Sequence, residues 1–231
     1  MKMDRIILIE TSTSLCSTAL LEDDKIIAYK ENEGREHSSL TAVFIKEMLD
    51  EHGIRVKDCD AVCVSMGPGS YTGLRVGVST AKGLCFGAGI PLLAIGSLDI
   101  LAAQSVDYKA ITGGYKYIVP MIDARRMEVY TAIFTPDLKQ ITETSPMIVE
   151  ENSFADILSE GPVLFIGDGA EKCRSVLKSG NAYFKQSYPK ASAMKNPALK
   201  EYRAGNFKDV AYFEPFYLKE FVTTISKKKL F

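Results

Sequence analysis

The chain has 231 residues, 46% of them hydrophobic and 25% charged, with a formal net charge of −1. This is ordinary globular composition with room for one large or two small domains, and its near-neutral charge argues against an overall field drawing it onto nucleic acid or a membrane. The five cysteines, Cys16, Cys59, Cys63, Cys85 and Cys173, are odd in number and lack CxxC spacing, which argues against a disulfide framework or a zinc site and fits a reducing, cytoplasmic setting.

The start leads into only four apolar residues, Ile6-Ile7-Leu8-Ile9, before Glu10. That run is too short for a signal peptide or a spanning helix and reads as a buried strand. Strand-like runs follow from Cys16 to Leu21 and from Lys25 to Tyr29, with Glu22-Asp23-Asp24 as a hairpin turn. From about Glu36 to Glu51 the apolar positions Leu40, Val43, Phe44, Met48 and Leu49 predict a helix, with Gly53 at its C-cap. A buried strand from Ala61 to Ser65, the turn Gly67-Pro68-Gly69 and a helix to about Phe86 come next, then a strand and helix from Pro91 to Val106.

A linker at Asp107 to Lys116 precedes a second round. Strands are predicted from Ile118 to Ile122, Val129 to Phe134 and Gln140 to Val149. A helix is predicted over Asn152 to Ser159, capped by Asn152 or Ser153, then a strand from Val163 to Ile166, Gly167-Asp168-Gly169, and a helix toward Leu177. A further helix is expected around Pro197 to Arg203, and Pro215 keeps the segment from Glu214 to Leu218 from being a simple helix. The basic run Lys227-Lys228-Lys229 reads as a solvated tail.

Each half therefore ends its first strand in an acid, Glu10 or Asp123, and launches a helix from Gly-x-Gly after a later strand. Two coincidences at corresponding places suggest a duplicated architecture. Duplicated α/β units of this kind suggest the actin-like ATPase fold of sugar kinases, with a first subdomain over 1–106 and a second over 107–231. The segment from about 205 to 231 is expected to return to the first.

In such a fold, phosphates lie between the halves against backbone amides and helix N-termini. Glu10, Thr11, Ser12, Asp123, Gly167 and Gly169 are the cleft candidates here, but the turns after Glu10 and Asp123 carry no glycine. An ATPase or small-molecule kinase using Glu10 and Asp123 is the alternative enzymatic reading, and no third acid stands out for a magnesium site. The two histidines, His37 and His52, make metal chemistry or a Ser-His-Asp set a poor expectation.

The helix after Thr72 carries Gly73, Gly77 and Gly83, each costing roughly 0.5–1 kcal/mol relative to alanine. Its small-residue face, Gly73, Gly77, Thr80 and Leu84, is expected to let another helix approach, beside the helix bearing Leu40 and Phe44. A partner interface is therefore expected on these two helices, and a pair of identical chains when the protein is alone.

Six segments carry a family resemblance: Ile9-Glu10-Thr11-Ser12-Thr13, Arg35-Glu36-His37-Ser38, Met66 to Gly77, Asp123-Ala124-Arg125 with Glu128-Val129-Tyr130, Gly167-Asp168-Gly169 and Pro215-Phe216-Tyr217-Leu218. Together they resemble the TsaB (YeaZ) family, in order over nearly the whole chain. The resemblance implies a non-catalytic relative of the transferase TsaD that serves threonylcarbamoyladenosine formation in tRNA. It further implies binding to a TsaD-like transferase subunit through helices of the first half, a TsaE-like ATPase joining, tRNA met only through the complex, and no membrane partner. TsaD carries two metal-binding histidines at i, i+4; His37 and Thr41 stand at the corresponding positions, so the metal pair is incomplete. The interface expected is His37, Leu40, Thr41, Phe44, Gly73, Gly77, Thr80 and Leu84, with no catalytic residue, no metal and no cofactor of the chain's own, nucleotide entering only in the partner complex.

Overall fold

The computed structural model describes residues 4–34, 37–108 and 113–218. The first half runs β1 (Arg5–Glu10), β2 (Leu15–Glu22), β3 (Lys25–Glu33), α1 (His37–Glu51), β4 (Ala61–Ser65), α2 (Tyr71–Ala88), β5 (Leu92–Ile95) and α3 (Ser97–Gln104). The second runs β6 (Tyr117–Asp123), β7 (Glu128–Thr131), β8 (Ser145–Ile148), α4 (Ala155–Glu160), β9 (Val163–Ile166), α5 (Ala170–Cys173) and β10 (Ala182–Lys185), followed by α6 (Lys195–Arg203).

The two five-stranded sheets have orders β3-β2-β1-β4-β5 and β10-β9-β6-β7-β8. β1 is antiparallel to β2 and parallel to β4; β6 is antiparallel to β7 and parallel to β9. Read from the same side the two halves are one topology used twice, the α/β architecture of the actin-like fold. β10 completes the repeat and was not anticipated, because Ala182–Lys185 is short and only partly buried at a sheet edge.

Continuous apolar runs form β1 because both faces of the sheet are covered. Ile6 and Leu8 meet Ile100 of α3 and Met194, Ala198 and Leu199 near and in α6. Ile7 and Ile9 point the other way, toward Ile45 and Met48 of α1 and Val78, Ala81 and Cys85 of α2. Gly53 (φ +64) ends α1 in the expected place, with Ile54 N–H bonded to Leu49 O and Gly53 N–H to Asp50 O, a Schellman closure. All five cysteines are buried and free.

Helix α3 joins the halves. Ile100 packs on the first sheet, while Leu98, Leu101 and Ala102 pack with Ile118, Ile122, Leu164 and Ile166 of the second. Gln104 at its end donates to Ser187 Oγ (2.9 Å) and accepts from Lys190 N (2.9 Å).

From Lys190 onward the chain is already back on the first half: Ala191 N–H donates to Ser17 Oγ at 2.9 Å, and Ala191 and Met194 are wholly buried there. The return thus begins before the stretch from 205. Later, Lys208 N–H bonds Leu92 O on the β5 edge at 2.8 Å, and Lys82 Nζ holds Ala211 O and Phe213 O. Phe216 N–H reaches Met66 O at 2.7 Å, and Tyr217 stacks on Tyr71 at 4.8 Å between ring centroids.

Three other expectations shift. Helix α4 starts at Ala155 after Phe154, whose left-handed backbone (φ +65) accompanies packing of its ring on Phe165, so neither Asn152 nor Ser153 caps it. Helix α5 ends at Cys173, with only turn hydrogen bonds continuing to Leu177. β8 is confined to Ser145–Ile148; before it, pairing is reduced to the isolated bridge of Gln140 with Phe134, and the side chain of Thr142 takes the Ile133 N–H. Lys227-Lys228-Lys229 lies outside the described residues.

Candidate functional site

The carboxyl ends of the parallel strands β1, β4, β6 and β9 meet between the halves, the position where open α/β sheets form their crevice. Glu10 ends β1 with no exposed surface, and its Oε1 accepts the Ser12 N–H at 2.5 Å. Burial pushes its carboxyl up to about 7, against the pull of the Ser12 N–H and helped by the nearby charge of Asp168. Glu10 Oε2, Ser12 Oγ, Thr13 Oγ1 and Ser97 Oγ are buried without a hydrogen-bond partner among the described residues.

Thr11 is fixed from both ends: its N–H donates to Ser65 Oγ at 3.3 Å and its Oγ1 donates to Gly73 O at 2.8 Å. Ser12 O in turn accepts the Ser70 N–H at 2.6 Å. The turn after β1 is therefore filled by the chain's own loop between β4 and α2.

The second half repeats the device. Asp123 ends β6, and its Oδ1 accepts the Arg125 N–H at 2.7 Å and the Lys172 ammonium at 2.5 Å. Its own N–H donates to Asp168 Oδ1 at 3.0 Å. Asp168, sitting between Gly167 and Gly169, is pushed up to about 6, chiefly by burial and further by Asp123. A Cβ at Gly167 (φ +141) would strike Met121 O, and one at Gly169 would crowd the Asp123 amide. These glycines serve the close approach of β9 to the end of β6. They do not line an open cradle.

Of the expected cleft residues, Glu10, Thr11 and Ser12 come together at one turn, and Asp123, Gly167 and Gly169 at the other. Asp168, the middle of Gly167-Asp168-Gly169, is a further acid beside them that the sequence reading does not single out, and no group of three or more potential ligands among the described residues is placed to hold a metal ion. Ser65 and Lys172 were also missed, since they are brought in by strand pairing and by α5.

The expected docking face divides. Ser70 caps α2, accepting the Gly73 N–H, and Gly89 (φ +67) closes it. Leu74, Val78, Ala81 and Cys85 are buried as expected. Gly73 and Gly77 are not on an outer face: a Cβ at Gly73 would strike Thr11 O, and one at Gly77 would strike Thr11 Oγ1. The close approach they permit is by Thr11 of the same chain. Thr41 is likewise wholly buried, its Oγ1 3.3 Å from Cys16 Sγ beneath α1.

Leu40, Phe44, Thr80 and Leu84 are half-buried, and the side chain of His37 lies outside the described residues. The outward surface is instead Val43, 46% exposed on α1, and Phe86, 86% exposed on α2. Gly83 and Gly87 beside Phe86 face open space.

A family profile described as TsaD, tRNA N6-adenosine threonylcarbamoyltransferase, matches residues 26–212. The tRNA threonylcarbamoyladenosine biosynthesis protein TsaB of Escherichia coli is 31% identical, over 98% of both chains. The protein of the same name from Bacillus subtilis is 33% identical over 70% of each. The chain belongs to the TsaB family. Among solved structures, YeaZ from Pseudomonas aeruginosa superposes with a TM-score of 0.79 at 23% identity, covering 93% of this chain and all of that one. The fold extends to an Arthrobacter polyphosphate/ATP-glucomannokinase, TM-score 0.51 at 9% identity over 87% of this chain. Kinase-like topology in this TsaB-family chain thus coexists with turns that its own side chains and backbone fill. No helix among its described residues is long and apolar enough to cross a membrane.

Proposed function

We propose that this protein is a non-catalytic subunit in the formation of threonylcarbamoyladenosine on tRNA, working in the cytoplasm. It docks on a TsaD-like transferase through α1 and α2, and a TsaE-like ATPase joins that assembly. The observation that carries the reading is the family relationship over the full chain to proteins named for this modification, at 31% identity. Two structural features support it. The strand-end turns are occupied from within by Glu10, by Asp123 and by the loop between β4 and α2, which closes on Thr11 and Ser12 through Ser70 and Gly73. The neighbouring helices α1 and α2 meanwhile present Val43 and Phe86 to solvent.

An exposed phenylalanine flanked by two glycines offers an apolar knob beside a flat stretch of backbone, suited to a partner helix. Without the partner, the same face pairs two copies of the chain. tRNA is met only through the complex, consistent with a net charge of −1, and the chain needs no cofactor of its own.

The test is co-purification of a TsaD-like transferase with Val43→Asp/Phe86→Asp. Both side chains are solvent-facing, so the variant is expected to fold as wild type and to lose the partner. Retention of the transferase at wild-type affinity would place the interface elsewhere.

A further inference from the structure

The net charge of −1 is the sum of two unlike parts. From residue 178 to residue 208 the chain carries seven lysines and arginines against one acid, Glu201, whereas the rest of the chain carries 21 against 28. A surplus of +6 in this stretch is thus balanced by −7 elsewhere. Glu201 does not neutralise it: its Oε2 accepts from Asn206 Nδ2 at 2.9 Å. Of the seven cations, Lys190 pairs with Glu31 at 2.9 Å, and none of the other six has a carboxylate in ion-pair distance among the described residues.

The fold gathers these unpaired cations along one path. Helix α6 lays Ala198 and Leu199 on the first sheet beside Ile100 of α3, across the sheet from α1 and α2. Asn196, Lys200 and Arg203, at i, i+4 and i+7, then form its exposed stripe. The chain turns at Gly205 (φ +70) and continues with Phe207, 46% exposed and edge-on to Tyr202 at 6.0 Å between ring centroids, and with Lys208 on the β5 edge. Before α6, Lys185 Nζ lies over the Tyr108 ring, 4.7 Å from its centroid, just beyond the end of α3. The negative end of the α6 dipole accounts for Lys200 and Arg203. It accounts neither for Lys185 and Lys208 nor for the exposed aromatic ring. Unpaired cations along an exposed path with an aromatic beside them match a nucleic-acid strand, whose phosphates and base faces they complement.

We propose that the outer stripe of α6, together with Lys185 and Lys208, is a contact surface for the phosphate backbone of the RNA substrate. This rests on the assignment to tRNA modification and adds to it a surface on this chain. Because α6 lies across the sheet from α1 and α2, a transferase docked on those helices leaves the stripe open. The overall charge of −1 keeps the contact weak in the chain alone, and the complex supplies the remaining affinity.

The experiment is tRNA binding by fluorescence anisotropy over a salt series, for the chain alone at low salt and for its complex with a TsaD-like transferase. Lys200→Ala/Arg203→Ala is expected to keep the transferase bound. It should weaken tRNA binding by the complex about tenfold or more at about 0.1 M salt and reduce the steepness of log K against log salt by about 2. Lys25→Ala/Lys139→Ala removes two exposed cations from other surfaces and should change neither. Unchanged affinity and salt dependence in the α6 variant, or an equal loss in the Lys25/Lys139 variant, would overturn the proposal with docking intact. Loss of the transferase from the α6 variant would overturn it in favour of an acidic protein segment lying on the stripe. Should the wild-type chain form no complex, the docking reading fails and the chain alone decides: equal tRNA binding at low salt by wild type and the α6 variant overturns the proposal.

Discussion

At the residue scale, Glu10 is the position under most tension. Its carboxyl sits at about 7 in the fold against an ordinary value of 4.5, so the folded chain holds a proton that the unfolded chain releases between those limits. Stability therefore falls as pH rises from about 4.5 to about 7 and stays reduced above it. Glu10→Gln keeps an oxygen for the Ser12 N–H and removes the charge. It should be more stable than wild type at about pH 8, by at most about 3 kcal/mol, with the difference vanishing near pH 5. Urea denaturation at the two pH values checks this, and a pH-independent difference would refute it.

Gly77 gives a second residue-scale expectation. Alanine there gains helix propensity of roughly 1 kcal/mol but drives a methyl group into Thr11 Oγ1, and overpacking costs about 1–3 kcal/mol. Gly77→Ala should be destabilising alone and relieved by Thr11→Ala, a coupling readable in a double-mutant cycle. Additive effects would mean that Thr11 is not what the glycine accommodates. The sequence shows that glycine in α2 needs a compensating close approach. It does not show whose, because Thr11 lies more than sixty residues away and meets α2 only through β1–β4 pairing.

At the element scale, what was legible follows from how an element is stabilised. Ile6–Ile9, Ala61–Ser65 and Val163–Ile166 are buried on both faces, and an unbroken apolar run announces that. β10 lacks such a run because it is a half-exposed edge, and α4 begins where Phe154 meets Phe165, a contact that local capping rules do not contain. Helix α3 read simply as a helix; the structure makes it the shared wall of two cores. Leu101 is fully buried against the second sheet, so Leu101→Ala should cost about 2–5 kcal/mol. Because Ile100 on the same helix anchors the first sheet, both halves should melt in one shifted transition. Two separated calorimetric transitions would show that the halves fold independently.

At the scale of the whole molecule, a kinase-like duplication has its strand-end turns satisfied from within, while α1 and α2 present Val43 and Phe86 to solvent. The acidic strand ends and both Gly-x-Gly turns could be read from sequence, yet their meaning was set by what packs on them: Ser12 against Ser70, Asp168 against Asp123. The central claim is that the outer face of α1 and α2 carries the function and the crevice does not. The most direct measurement is threonylcarbamoyladenosine formation on tRNA, reconstituted with TsaD-like and TsaE-like partners and either wild-type chain, Glu10→Gln/Asp123→Asn, or Val43→Asp/Phe86→Asp. Docking without catalysis predicts full modification with the crevice variant and loss with the helix-face variant. Loss of modification with a folded, partner-bound crevice variant would contradict it.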